Sequence, residues 1–550
     1  MTEVKSVFRI SRGELRWPVG FALALGALLL LPYLFGWAIA PAGLHYSWLL
    51  SNTDDHNVYL SYMRQAHDGH LVFTDQFTTE PQQPWFFHSF FLTLGLLSKL
   101  SPLPLMVTYQ LTRIICGGLL LVALYLLGAR FLESLRARRF FLVFISLASG
   151  LGWLYVLLLN PTGNQPHPPD FGPGVVMPEL ITFLTLLLNP LFCFAVFLLV
   201  STLLLYLIAV EQRSLKWALG AGITGLLLAN IHSYDVIPLG LTIVFYLIGR
   251  AIIQRRFPTI ELAYAAIIAL AMLPPTLYQF HLYDALPVFR LKAEVATKSP
   301  SPIQFFLAMG LPLLFAIPGA LLALKRAKTA PDYLLPVGWF VAIMLSIYLP
   351  FPFQRKMAEG LQIPVVLLAT LFLSQALFEN KKFPARQQVL VGALLVLACF
   401  PSNMMYLQKV LGDVQTLGSS FYAHLTPPLY LRAEQTQALA WLNGKVTRDQ
   451  GVLCNPMLAA YVPAHTGGRC YAGHWAETIN YPKKLGALLD FYSGKMPQPE
   501  RENLLRKEGI QYLLVGPEEA ALAQGSVPLT GLPVHEVQRI GEIVIYQVEG

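Results

Sequence analysis

Runs of about 20 apolar residues, each long enough to cross a bilayer as one helix, recur from residue 17 to residue 406. Eleven are predicted to span: 17–40, 104–127, 140–159, 190–210, 217–230, 236–250, 262–280, 303–324, 333–350, 360–378 and 389–406. Those at 217–230 and 236–250 are short. Lipid offers the backbone no hydrogen bonds, so runs of this kind fold as helices and pack as a bundle. Charge agrees: 13% of the 550 residues are charged, against roughly 25% in soluble proteins. An ordinary soluble enzyme is excluded, and 55% hydrophobic residues exclude a disordered chain.

The net charge of +8 suggests an acidic partner at first sight. In membrane proteins, however, Lys and Arg collect in cytoplasmic loops. The first run follows Lys5, Arg9, Arg12 and Arg16 and lacks a small-residue cleavage site, so it reads as a retained helix rather than a secretory signal. Segment 85–100 is apolar but short, and Pro81, Pro84, Pro102 and Pro104 flank it. Laid along the outer interface rather than across the membrane, it leaves nineteen cations on cytoplasmic segments and eight in external loops before Tyr406. The N-terminus is therefore expected inside and the C-terminus outside a plasma (inner) membrane. The cations serve topology, and nucleic acid is not an expected partner.

Beyond about residue 408, helix-like stretches (434–446, 477–492, 499–508) alternate with strand-like ones (451–454, 468–471, 510–515, 542–548). Such alternation predicts an external α/β domain over 408–550, carried by a membrane body over 1–407. Five Cys are too few for a disulfide framework. Cys116, Cys193 and Cys399 lie in apolar runs, while Cys454 and Cys470 either pair or remain thiols.

Few polar residues sit near the outer membrane face, and they cluster. Asp54 and Asp55 open the first external loop, followed by Tyr59 and Arg64 on a short helix expected over 59–66. Adjacent carboxylates beside a membrane are costly unless solvated, capping a helix, or used to bind a cation, a proton or a polar substrate. The second loop supplies Asp170 and Glu179; Glu179 precedes an apolar run and equally suits a helix N-terminus. A third cluster, Asn230-Ile231-His232-Ser233-Tyr234-Asp235, places several polar groups at membrane depth, which argues for a cavity. The fourth contains Arg355 and Lys356, external cations that run against the positive-inside tendency; Arg offers a fork of donors for phosphate and Lys a point charge, with interfacial snorkelling the plain alternative. Glu294 lies in a long external loop near Arg290 and Lys292. The Gly467–Glu477 stretch, with Arg469, His474, Trp475 and Glu477, suits a glycan contact or a surface turn. No P-loop, Rossmann fingerprint, Cys/His zinc spacing or G-x-S-x-G is present.

One spanning run, an external loop opening on an acid, and an interfacial helix together resemble the GT-C class of polyprenyl-phosphate-dependent glycosyltransferases. Asp54-Asp55-His56-Asn57-Val58-Tyr59 looks like the first-loop acidic motif of oligosaccharyltransferase catalytic subunits and protein mannosyltransferases. The resemblance implies a GT-C-like fold and a sugar transferred, with inversion, from a polyprenyl-phosphate-linked donor to a glycan, lipid or protein acceptor. It implies Asp54 as catalytic acid residue with Asp55 as understudy, Glu179 or Asp170 as second-loop acid, and Arg355 as the grip on phosphate. Tyr59, Arg64, His232, Tyr234, Asp235, Glu294 and Lys356 would line the substrate site, and a divalent cation is the cofactor the chemistry leaves room for. The oligosaccharyltransferase signature WWDYG is absent, which argues against protein N-glycosylation and leaves the mannosyltransferase-like and aminoarabinose-transferase-like branches.

Two other classes compete. A lipid or solute transporter would use His232 and Asp235 as a proton relay, although no repeated halves are visible. A non-catalytic assembly protein would use the body only as an anchor.

Overall fold

The computed structural model describes residues 7–159, 177–380, 382–417 and 427–549. Each of the eleven predicted runs falls on helix. Among the described residues, eight helices are long and apolar enough to cross a membrane: Arg16–Ala38, Leu105–Phe131, Leu135–Leu158, Pro190–Gln212, Ser233–Gln254, Thr259–Ala285, Pro302–Ala327 and Gln354–Phe378. A ninth arises if Ala385–Ala398 and Pro401–Gln415, bent by 49°, form one span. Pro401 sits at that bend, where its ring blocks helical continuation. The remaining two runs correspond to the shorter apolar helices Leu215–Ile231 and Pro331–Ser346. Segment 85–100 yields the helix Ser89–Leu100, 12 residues and too short to span. The chain is a polytopic α-helical membrane protein with an α/β domain toward its C-terminus.

The chain gathers into two compact units. The first comprises Met1–Leu31, Gln110–Phe280 and Ala296–Lys409. Its helices pack closely through small residues: a Cβ at Gly319 would run into the Leu368 carbonyl. Several cations counted as topology markers have a second role here. The Arg130 guanidinium is wholly buried and pairs with Glu211 at 2.6 Å and Asp332 at 2.9 Å. Arg250 pairs with Glu261 at 2.8 Å. Losing one partner of such a pair strands a buried charge, which is costlier than never having made the pair.

The second unit comprises Pro32–Tyr109, His281–Val295 and Val410–Gly550. The segment after the first long helix thus folds together with the C-terminal domain. Strand β1 (Leu44–Tyr46) pairs antiparallel with β2 (Tyr430–Arg432). The domain's sheet has the order β4-β3-β5-β7-β6, with β3 Gly451–Leu453, β4 Arg469–Cys470, β5 Ile510–Val515, β6 Val534–Ile540 and β7 Ile543–Val548. Strands β4, β3 and β5 run parallel and β5, β7 and β6 antiparallel. Leu453, Leu488, Phe491, Tyr492, Leu505 and Leu513 form its core. Cys454 and Cys470 are buried free thiols.

The two first-loop helices, Thr53–Asp68 and Ser89–Leu100, meet at Gly95, where an added Cβ would strike the Met63 carbonyl and the Ala66 side chain. Backbone cannot yield as a flexible side chain can. Gly95→Val is therefore expected to destabilise by about 1–3 kcal/mol, the usual cost of overpacking, read as a lower melting temperature of the purified protein.

Candidate functional site

The helix expected over 59–66 begins earlier, at Thr53, which places Asp54 and Asp55 in its first turn. Asn52 precedes the helix in the left-handed conformation (φ 54°), a position that asparagine tolerates well. Both acids benefit from the partial positive charge of the helix N-terminus, yet their surroundings differ. Asp54 is 8% exposed. Its Oδ2 accepts the indole N–H of Trp475 at 3.1 Å, and its Oδ1 is buried without a hydrogen bond. Asp55 is more open; it accepts from Asn52 Nδ2 at 2.6 Å and contacts His474 Nε2 at 3.2 Å.

The His474 tautomer follows from its neighbours. The backbone N–H groups of Ala476 and Glu477 both point at Nδ1 from 3.0 Å. Nδ1 is the acceptor, so Nε2 carries the proton and donates it toward Asp55. Burial pushes the Asp54 carboxyl above its ordinary value, and the charge of Asp55 pushes it further up. Burial would raise Asp55 as well, but the hydrogen bonds from His474 and Asn52 outweigh it and hold Asp55 well below the usual carboxylate range. One acid is thus a fixed anion and its neighbour a group poised to take a proton. Divergent environments of this sort distinguish the roles of paired catalytic carboxylates.

Other first-loop residues brace this arrangement. Tyr59 stacks on Phe91 with ring centroids 5.1 Å apart, and His56 Nδ1 lies 2.6 Å from the Tyr109 hydroxyl. Arg64 uses its guanidinium on Asp68 (2.8 Å), the His465 carbonyl (2.9 Å) and Asn443 (2.7 Å). It tethers the acid-bearing helix to the α/β domain. Glu294 is exposed, whereas nearby Lys292 forms an ion pair with Glu477 and lies 4.0 Å from buried Asp75. Burial raises the Asp75 carboxyl as well.

Within the other unit, Glu179, Arg355, Lys356, Tyr234, His232 and Asp235 form a second group. Arg355 lies 3.5 Å from Glu179 and is 41% exposed at the side chain, against 8% for Glu179. The Lys356 ammonium sits 4.7 Å above the Tyr234 ring and 3.3 Å from its hydroxyl. His232 Nδ1 faces Asp235 at 3.1 Å and Glu359 at 3.0 Å. Gly360, left-handed at φ 76°, donates its N–H to the Glu179 carbonyl at 3.2 Å and so ties the second-loop acid to the Arg355 turn. Asp170 lies outside the described residues.

Four residues were missing from the sequence-based site. Glu359 ends the very cluster that contains Arg355, and a carboxylate before a glycine at membrane depth was the available signal. Asp75 lies in Phe73-Thr74-Asp75-Gln76-Phe77, whose alternating aromatic and polar residues mark an extended edge; Gln76 O accepts from the Cys470 N–H at 2.9 Å. His474 and Trp475 had no local signal that they meet the first loop, about 420 residues away in sequence.

Compared with solved structures, the chain is similar to two GT-C glycosyltransferases and has their fold. ArnT from Cupriavidus metallidurans, bound to undecaprenyl phosphate, matches with a TM-score of 0.52 at 14% identity, over 96% of this chain and 98% of that one. The oligosaccharyltransferase AglB from Archaeoglobus fulgidus, in complex with an inhibitory peptide and a dolichol-phosphate, matches with a TM-score of 0.52 at 14% identity, over 92% of this chain and 71% of that one. An Archaeoglobus fulgidus oligosaccharyltransferase in complex with Zn and sulfate gives a TM-score of 0.51 at 13% identity, over 92% of this chain and 71% of that one. No protein-family model matches the sequence, and no match was found among curated proteins.

Proposed function

We propose that this protein is a membrane glycosyltransferase that moves a sugar from a polyprenyl-phosphate donor to an acceptor at the external face of the membrane. The observation that carries the reading is the split character of Asp54 and Asp55, on a fold shared with enzymes whose solved structures hold undecaprenyl phosphate or a dolichol-phosphate. Asp54 takes the proton from the acceptor hydroxyl as its oxygen attacks the anomeric carbon. The bond from that carbon to the phosphate oxygen breaks on the opposite face, and polyprenyl phosphate leaves with the electron pair. A single displacement of this kind inverts the anomeric centre. A carboxyl raised above its ordinary value is, once ionised, a stronger base than an ordinary Asp.

Asp55 stays anionic, orients His474 and raises its neighbour. Arg355, more exposed than its partner Glu179, would turn its donors to the departing phosphate, with Lys356 adding charge. Glu179 holds Arg355 in readiness. Glycosyl transfer of this kind uses no nucleotide, in keeping with the absence of a P-loop. Eleven spans, with the N-terminus inside and the 408–550 domain outside a plasma (inner) membrane, complete the reading, since the cation asymmetry supports that orientation. The divalent cation expected from the sequence has no assigned place in these steps.

The test is transfer by the purified protein in proteoliposomes supplied with undecaprenyl-phosphate-linked sugars, read as release of undecaprenyl phosphate. Trp475→Phe removes the indole N–H from Asp54 but keeps the aromatic packing. Its expected effect is a roughly tenfold loss of kcat, from one hydrogen bond to a charged group at about 1.5 kcal/mol. Unaltered kcat would leave Trp475 as a mere packing residue.

A further inference from the structure

His232 follows the last turn of helix Leu215–Ile231, and Asp235 closes the 3-10 turn Ser233–Asp235 before the next helix. Glu359 follows the 3-10 turn Gln354–Ala358 that carries Arg355 and Lys356. All three belong to one compact unit, and they are 6%, 0% and 0% exposed. A single ring nitrogen, Nδ1, faces Asp235 Oδ2 at 3.1 Å and Glu359 Oε2 at 3.0 Å. One nitrogen carries at most one proton, so it cannot make a full hydrogen bond to each carboxylate. Only the contact with Asp235 has hydrogen-bond geometry. Asp235 Oδ1 and both oxygens of Glu359 are buried with no hydrogen bond at all.

Buried carboxylate oxygens without partners are expensive. Protonating the imidazole does not cure this, because two carboxylates and one imidazolium still sum to one negative charge and the extra proton serves one oxygen. A divalent cation cures both faults: with unprotonated Nδ1 and two carboxylates the set becomes neutral, and the cation fills the orphaned lone pairs. The spacing suits it. The candidate ligand atoms lie within 4.8 Å of one another, and a tetrahedral ion with bonds of about 2.0–2.1 Å holds its ligand atoms about 3.3 Å apart. One imidazole with two carboxylates matches zinc better than magnesium or calcium, which prefer oxygen throughout.

We infer that His232, Asp235 and Glu359 bind a zinc ion. The ion ties the turn bearing Arg355 and Lys356 to the loop bearing Tyr234, and is independent of whether Asp54 acts as a base. Full-length protein, purified in detergent and dialysed against metal-free buffer, is expected to retain about one zinc per chain by elemental mass spectrometry. Glu359→Gln and His232→Ala should each hold less than about a tenth of that, whereas Asp54→Asn should keep it all. After chelation, added zinc should raise the melting temperature of the wild type but not of Glu359→Gln, and added magnesium should raise neither. A wild-type chain that holds no zinc and whose melting ignores added zinc would overturn the inference even if the variants fail to fold. Undiminished zinc in Glu359→Gln would overturn it too. Neither measurement uses a substrate, so failure of the transfer assay leaves the result intact.

Discussion

Asp54→Asn is expected to slow transfer by about 10²–10⁴-fold, the contribution of a positioned general base, while leaving the protein as stable as before or more so. The stability half follows from linkage. Burial and the Asp55 charge raise the Asp54 carboxyl in the folded state above its unfolded value, so the folded protein binds that proton more tightly. Ionised Asp54 therefore costs stability. The cost is absent below the unfolded value of about 3.9 and complete above the raised folded one, and a neutral Asn removes it. Asp55 has the opposite sign: its folded-state carboxyl is lowered, so it contributes stability above the unfolded value that is lost as pH falls. Asp55→Asn should melt earlier at neutral pH. It should also shift the acid limb of the rate profile to lower pH, because one of the two influences raising Asp54 has gone. Two adjacent acids with opposite effects on melting, only one of them essential for rate, is a pattern that a merely capping Asp pair would not give.

Arg355→Ala is expected to reduce kcat and kcat/KM together by about 10²-fold, since charge-assisted hydrogen bonds run about 1.5–3 kcal/mol each and the charge on phosphate grows as the anomeric bond breaks. Arg355→Lys should recover only part of this, because an ammonium cannot present two parallel donors. Glu179→Gln separates the explanations. If Arg355 matters through phosphate, Glu179→Gln weakens its positioning and costs less than Arg355→Ala. If Arg355 serves only to neutralise buried Glu179 at 3.5 Å, Glu179→Gln rescues Arg355→Ala in full, and the phosphate role fails.

The apolar runs revealed the membrane body because spanning helices leave a strong, local and length-constrained pattern. Ser89–Leu100 was legible as too short to span, and β5 and β7 as apolar strands. Strand β6, Val-His-Glu-Val-Gln-Arg-Ile, escaped because it is half polar and lies at a sheet edge, where burial does not impose alternation. The site was legible in its residue types but not in its pairings. Asp54 and Asp55 were conspicuous as acids beside lipid; that His474 and Trp475 contact them depends on chain closure across about 420 residues, which no local period encodes. Arg64 shows the converse: its sequence neighbourhood suggested substrate, and no local pattern announced that its Nε, Nη1 and Nη2 donate to Asp68, His465 and Asn443.

The claim at the centre is that a lipid-phosphate sugar is cleaved here, with Asp54 as base. Proteoliposomes containing the wild type or Asp54→Asn, given a panel of undecaprenyl-phosphate-linked sugars and followed by mass spectrometry for free undecaprenyl phosphate, test it most directly. Release is expected from at least one donor with the wild type, and about 10²–10⁴-fold slower with Asp54→Asn. Equal release by both proteins, or passage of intact donor across the bilayer without cleavage, would contradict it.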